Sequence, residues 1–507
     1  MHIGFLNPQG NFDSANSHIT EHPDFGGQLI YVKQLAIAMA EQGHKVDIIT
    51  RQIIDPNWPE FAEQFDSYPG VDNVRIIRLP AGPKEFIPKE LLWSHLVSDW
   101  VPNILKFYRE EGGLPDAMTA HYADGGLSGV LIEEETGVPF TFTAHSLGAQ
   151  KIDKLEATPE NLAEIDEQFH FKYRIIAERL SMNRSAVNIT STEQERFQQY
   201  SHPAYHGAVD VNNDNCFTVI PPGVDSSVFS SEAHSENEEA ICQLIQERLA
   251  RDITESRRDL PSIVASSRLA PKKNILGLVQ AFAMSQTLQE RVNLVLLTGG
   301  LDDPLREEAN DDLAEHAVLV PIREVVQEND LWGKISAFGL LDQSQESLAA
   351  TYRFMAKRGS VFALTALYEP FGLAPLEAAA TGLPVVATQN GGPSESLGDG
   401  DQEYGVLVDP ADPADIARGL ERLVCDENEW EHFAQAGQER VFSSYTWEAT
   451  AENYLSLIEE IVSAPNARRP AERLPINPYF RNPQANTDIS LEELSRIYFS
   501  SPVLSHS

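Results

Sequence analysis

At 507 residues, 42% of them hydrophobic, the chain exceeds what one core can use, so two domains of about 200 residues or more are expected. Its 76 acidic and 38 basic residues leave a net charge of −38, which excludes nucleic acid as a partner because phosphate backbones need a basic surface. No apolar run reaches the ~20 residues of a membrane span, and the scattered Cys216, Cys242 and Cys425 offer neither a disulfide framework nor a metal spacing.

The first half alternates strand and helix patterns. Residues 3–6 form a short apolar strand with no basic leader before it, which predicts a cytoplasmic protein with no membrane contact. An apolar helix over 29–40 ends at Gly43, and 46–50 is the next strand. Strands follow at 74–79, 117–121 and 140–144, with a helix over 127–134 before the last. Helices at 175–181 and 193–199 flank a strand at 186–190. Pro221-Pro222-Gly223 stops regular structure and marks a domain boundary. The polar run 230–239 is expected to be an exposed loop. A second series of strands occupies 262–266, 293–297, 334–338, 360–365, 385–388 and 405–408. Residues 446–462 form a long amphipathic helix, 470–483 are proline-rich, and the last residues form a tail. The alternation predicts an α/β fold with mostly parallel sheets covered on both faces.

The richest stretch is Tyr368-Glu369-Pro370-Phe371-Gly372-Leu373-Ala374-Pro375-Leu376-Glu377. A strand runs into it, and a Pro/Gly turn opens a small-residue helix. Parallel sheets bind ligands at that place, and the free N–H groups of a helix N-terminus suit an anion. A carboxylate beside them can hold sugar hydroxyls, so the combination suits a nucleotide-sugar diphosphate. A glycosidase pair is disfavoured. Such carboxylates stand ~5 or ~6.5–9.5 Å apart, whereas eight residues of helix span ~12 Å.

Other residues fit the same chemistry. Gly26 and Gly27 precede a helix and permit close backbone approach to a ligand; they do not form the dinucleotide G-x-G-x-x-G pattern. Arg268 and Lys273 follow a strand end and can neutralise a departing diphosphate, the guanidinium by a bidentate grip and the ammonium as a point charge. His145 follows the strand 140–144, at the edge where α/β sheets bind ligands. Asp302-Asp303 and Asp399-Gly400-Asp401 are loop acids, not a metal site.

Five motifs stand in order: Asp24-Phe25-Gly26-Gly27-Gln28, His145-Ser146-Leu147-Gly148, Ile220-Pro221-Pro222-Gly223-Val224, Ser267-Arg268-Leu269 with Lys272-Lys273-Asn274, and Glu369 to Glu377. Together they resemble retaining glycosyltransferases of the GT-B fold, and most of all the sucrose-phosphate synthase family of the bacterial, catalytic-core type. The resemblance implies two Rossmann-like, doubly wound domains facing a central cleft, with a C-terminal helix crossing back. An acceptor domain would take 1–222 with the tail 463–507, and a nucleotide-sugar domain 223–462. It implies that His145, Arg268, Lys273 and Glu369 serve catalysis. Gly26, Gly27, Phe371, Gly372, Leu373 and Glu377 would bind the donor, Glu377 through the ribose. Gln28, Lys89, Lys151 and Arg174 would bind the acceptor, with Lys89, Lys151 and Arg174 on its phosphate. In this reading Lys151 closes the His145 loop and Arg174 precedes a helix.

The implied reaction moves glucose from UDP-glucose to fructose 6-phosphate with retention, without an obligatory metal or other cofactor. Mannosylfructose-phosphate synthase, sucrose synthase and a catalytically silent sugar-phosphate sensor remain alternatives, and protein partners stay unknown. The spread of acids raises solubility but costs self-repulsion, which 1 M salt screens within ~3 Å. A salt-adapted protein and a merely acidic one both fit that charge.

Overall fold

Short runs of β-branched and apolar residues make buried strands here, and the glycine, proline and asparagine between them make the turns. The structure is a computed structural model. It describes all residues except 19–21, 23, 300, 307–312, 341, 343, 465–471 and 500–507. The chain divides into two compact units, Met1–Pro221 with Thr450–Ser507, and Pro222–Ala449.

The first unit carries one sheet of β1 (His2–Leu6), β2 (Lys45–Arg51), β3 (Phe65–Asp66), β4 (Val74–Leu79), β5 (Ala117–His121), β6 (Phe140–Thr143), β7 (Val187–Thr190) and β8 (Phe217–Val219). The spatial order is β3-β4-β2-β1-β5-β6-β7-β8. All neighbours are parallel except the edge strand β3, which runs antiparallel to β4. The winding reverses between β1 and β5, and a crevice opens at the carboxyl ends of strands at such a point.

The second unit carries β9 (Ser262–Ser266), β10 (Asn293–Thr298), β11 (Ile335–Gly339), β12 (Val361–Leu364), β13 (Val385–Thr388) and β14 (Val406–Val408). They form one parallel sheet in the order β11-β10-β9-β12-β13-β14, which reverses between β9 and β12. Alternate residues of β9 feed two cores: Ile263 and Ala265 pack in one, and Val264 in the other. Helices cover both faces, so the strands read as apolar runs without polar alternation.

One expected helix starts earlier, one strand was not expected, and one exposed run is anchored by a buried arginine. The helix expected over 127–134 begins earlier, as Tyr122–Thr136, and runs through Gly125-Gly126. Those glycines let it lie against the sheet. A Cβ on Gly125 would stand 2.3 Å from the Leu6 carbonyl, and one on Gly126 would stand 2.3 Å from Ser181 Oγ. Strand β8, squeezed between Asn215 and Pro221, had no signal of its own. The polar run 230–239 is tied down where Arg353, 1% exposed, donates to Ser235 Oγ at 3.0 Å and to Glu238 at 2.9 Å.

The helix Trp447–Ser463 matches the amphipathic segment expected at 446–462. From Thr450 onward it belongs to the first unit, whereas the sequence placed its residues up to 462 in the second. The Tyr454 hydroxyl lies 2.9 Å from those of both Tyr31 and Thr143, and Ile476, Phe480 and Leu494 enter the first unit's core. Part of the proline-rich run 470–483 and the end of the expected tail lie outside the described residues. Among the described residues, no helix is long and apolar enough to cross a membrane.

Candidate active site

Each unit gathers polar side chains at the carboxyl ends of its strands, on either side of its reversal point. In the first unit the loop after β1 leads through Asp24-Phe25 to the helix Gly27–Glu41. Gly26 is its N-cap in extended backbone, and a Cβ on Gly27 would meet nothing within 4 Å. Gln28 Nε2 donates to the Asp24 carbonyl at 3.4 Å. Asp24 is 2% exposed. It accepts the Lys89 backbone N–H at 2.9 Å and takes the Lys89 ammonium in an ion pair. Burial works against the charge on Lys89, but Asp24 outweighs it and raises the Lys89 pKa.

Beyond β5 and β6 the histidines line up. His121 Nδ1 and His145 Nε2 are 2.9 Å apart, and the Thr119 hydroxyl lies 2.9 Å from His121 Nε2. Burial pulls His145 down to about 3 and His121 well below its ordinary value, so both rings are neutral. His145 is held at φ +56°, a left-handed conformation, with its ring edge-on to Tyr31 at 4.9 Å.

Two of the residues expected to bind the acceptor sit on elements other than those expected. Lys151 lies within the helix Gly148–Lys154 and does not close a loop. Arg174 lies inside the helix Phe171–Arg184, not before it, because the turn starts at His170, whose left-handed φ of +51° caps it. This register sets Arg174 four residues before Glu178, where helical side chains meet. Arg174 Nε donates to Glu178 Oε1 at 2.9 Å, and its Nη2 donates to the Ser146 carbonyl at 2.9 Å and to Ser146 Oγ at 3.1 Å. Glu178 is fully buried and also accepts the Gly148 N–H and the Tyr205 hydroxyl. The guanidinium lies 4.6 Å from the Tyr122 ring centroid. Among the described residues Lys151 has no carboxylate partner, and it rests its ammonium 4.4 Å from the Phe169 ring centroid. Burial lowers its pKa, and Arg174 and Lys89 lower it further by repulsion. Lys89, Lys151 and Arg174 line one cavity together with Tyr122, Asp124 and Phe169. Neither Tyr122 nor Asp124 was singled out from the sequence. A polar residue just after a strand end, next to a glycine pair, was the signal that could have found Asp124.

In the second unit the loops after β9 and β12 meet across the reversal point. Lys273 Nζ and Glu369 Oε2 form an ion pair at 2.6 Å. Asn274 ties the two loops, with Nδ2 donating to the carbonyls of Thr365 at 3.0 Å and Pro410 at 2.8 Å. The motif asparagine thus holds the loop in place. Gly372 caps the helix Leu373–Ala380 at φ +90°, which L side chains rarely adopt, so the Phe371 and Leu373 backbone is fixed around a glycine. Gly391 and Gly392, which the sequence reading passed over, let a second loop press against this one; a Cβ on Gly391 would stand 2.0 Å from the Glu369 carbonyl oxygen.

Glu377 falls in the second turn of that helix, not at its first residues. No side chain among the described residues bonds its carboxylate, and burial pushes it up to about 7. Arg268 is exposed and unpaired among the described residues. It borders a cavity of about 200 Å³ with Ser266, Thr298, Gly299, Leu340 and Ser344. That cavity, over the ends of β9, β10 and β11, also escaped the sequence.

Comparison with known proteins supplies the family. Residues 26–199 match the glycosyl transferase 4-like domain, and 246–440 match glycosyl transferases group 1. The chain is 41% identical to a "Probable sucrose-phosphate synthase" of Thermosipho melanesiensis over 91% of its own length and 97% of that protein. It is 32% identical to the sucrose-phosphate synthase of Spinacia oleracea over 90% of its own length, yet spans only about half of that protein, 47%. A solved sucrose-phosphate synthase from Thermosynechococcus elongatus superposes with a TM-score of 0.61 at 26% identity, covering 92% of this chain and 100% of that one. Two mostly parallel sheets that each reverse beside a polar cluster, matched over this length, define a GT-B glycosyltransferase, and the chain belongs to the sucrose-phosphate synthase family.

Proposed function

We propose that the chain transfers glucose from UDP-glucose to fructose 6-phosphate with retention of configuration, giving sucrose 6-phosphate and UDP. The observation that carries this reading is the convergence of Lys89, Lys151 and Arg174 on one cavity of a chain whose net charge is −38. In such a protein a cluster of cations facing one space suits a phosphate, and the Lys151 ammonium, which has no carboxylate among the described residues, has its charge to offer.

In the same reading the second unit holds the donor. Arg268 and Lys273 neutralise the diphosphate as the glycosidic bond breaks, and such preorganised charge is worth several kcal/mol of barrier. Glu369 orients Lys273 through their ion pair and leaves its second oxygen for the sugar. Glu377, without a partner among the described residues, accepts the ribose hydroxyls. The backbone at Gly26 and Gly27 approaches phosphate or acceptor, and open space where a Gly27 side chain would stand supports that role. Neutral His145 contacts the transferred sugar. Leaving-group charge is met by side chains and backbone N–H groups, so the reading needs no divalent ion, and turnover persists in EDTA.

The test is a matrix of UDP-glucose, ADP-glucose and GDP-mannose against fructose and fructose 6-phosphate. Two charge-assisted contacts at ~1.5–3 kcal/mol each give fructose 6-phosphate an advantage on the order of a hundredfold or more. Lys151→Met with Arg174→Gln removes most of that advantage and spares donor affinity. Equal use of fructose and its phosphate overturns the reading in favour of sucrose synthase. Turnover with GDP-mannose alone favours the mannosyl enzyme.

A further inference from the structure

The acceptor cavity is lined by two residues with a buried polar atom that has no hydrogen-bond partner among the described residues, the donor Trp93 Nε1 and the acceptor Asp124 Oδ2. Asp124, 2% exposed, sits in the first turn of the helix Tyr122–Thr136, just past the reversal point between β1 and β5. Its Oδ1 accepts the Gly125 N–H at 2.8 Å. Its Oδ2 is buried and has no hydrogen-bond partner among the described residues. The neighbouring ammonium of Lys89 is already engaged by Asp24. Burial, with Asp24 adding repulsion, pushes the Asp124 carboxyl up to about 7.

An acid in a first helical turn can serve the helix dipole alone, but an exposed acid does that at no cost. A buried acceptor without a partner costs ~1–3 kcal/mol. The fold also goes to some length to bury it: the glycines that follow let the helix press onto Leu6 and Ser181, and Tyr122 before it is held at φ +66°. Strain and an orphaned acceptor meeting in one cavity point to a missing donor.

We propose that Asp124 Oδ2 accepts a hydrogen bond from a hydroxyl of the sugar acceptor and so selects the acceptor's ring, while Lys151 and Arg174 hold its phosphate. This rests on the acceptor reading above. A hydroxyl suits the cavity because it donates without charge, whereas a phosphate against this carboxylate would be repelled.

The test uses Asp124→Asn and Asp124→Ala in the full chain, with fructose 6-phosphate and its monodeoxy analogues. Asparagine keeps the acceptor for Gly125 and replaces the orphaned oxygen by a donor. The acceptor KM rises about ten- to a hundredfold in both variants, as loss of a bond to a charged group implies. The UDP-glucose dissociation constant and the melting temperature stay at wild-type values in Asp124→Asn. One monodeoxy analogue pays that penalty with wild type and pays none with Asp124→Ala. Should Asp124→Asn keep a wild-type acceptor KM, or should every analogue keep its penalty in Asp124→Ala, Asp124 is structural and the proposal is overturned. That outcome leaves the phosphate preference of the wild type intact. Loss of wild-type turnover with fructose 6-phosphate would instead overturn both.

Discussion

The site arginines of the two units, Arg174 and Arg268, carry their charge in opposite ways, although among the described residues Lys151 in the first unit stands without a carboxylate and Lys273 in the second is paired with Glu369. In the first, Arg174 and Lys89 are each bound to a buried carboxylate before any substrate arrives. In the second, among the described residues, Arg268 is exposed and unpaired and no side chain donates to Glu377. Pairing fixes a cation's position, so little ordering is left to perform on binding; it also makes the cation part of the fold. An unpaired exposed cation adds nothing to the fold and can follow a charge that moves during reaction.

The largest effect that could break this contrast comes from Arg174→Ala. It strands Glu178, fully buried, with only the Gly148 N–H and the Tyr205 hydroxyl. Removing one member of such a pair costs ~3–5 kcal/mol. Denaturant unfolding of the purified variant should therefore show a much lower midpoint, and a loss under ~1 kcal/mol would erase the distinction between the units. Arg268→Ala should do the reverse. Loss of preorganised positive charge on a leaving group lowers kcat/KM on the order of a hundredfold or more, while the unfolding midpoint stays put. A variant that turned over normally would remove Arg268 from the leaving-group role.

A smaller effect sharpens the comparison through pH. Burial places Glu377 at about 7, above its ordinary 4.5. The ionised form is therefore costlier in the folded chain than in the unfolded one. Stability is lost as pH rises from about 4.5 through 7, by on the order of 1–3 kcal/mol, and Glu377→Gln recovers it at pH 8. If the carboxylate accepts ribose hydroxyls, UDP-glucose affinity moves the other way and strengthens as pH rises through 7. Calorimetry at pH 6 and 8 reads both, and an affinity independent of pH in the wild type would separate Glu377 from the ribose.

The sequence makes legible what is local. Apolar β-branched runs such as Val74–Leu79 declare themselves, and so do proline and glycine punctuation and a glutamate pair across a turn. The Arg174–Glu178 pair was within reach of the i,i+4 rule once the helix register was right. What stayed hidden depends on distant partners. Lys89 and Asp24 are 65 residues apart, and Lys273 and Glu369 are 96 apart. No pattern within either segment announces the other. The helix expected from 127 starts five residues earlier and takes in Gly125-Gly126, because the reason for those glycines, the close approach of Leu6 and Ser181, lies outside the segment. Asp124 was passed over for the same cause: whether an acid is buried is decided by what packs over it.

The Tyr454 hydroxyl, set between Tyr31 and Thr143, has a consequence for how the protein is made. The first unit is not contiguous in the chain: its core waits for Ile476, Phe480 and Leu494, and buried Tyr31 and Thr143 wait for Tyr454. A ribosome therefore delivers the whole of the second unit before the first can be finished. The later-made unit, continuous from Pro222 to Ala449, is free to fold first, and the earlier-made one must remain incomplete until the last segment emerges. During that interval its apolar surface is open, and a nascent chain halted near residue 449 is the form most prone to aggregate.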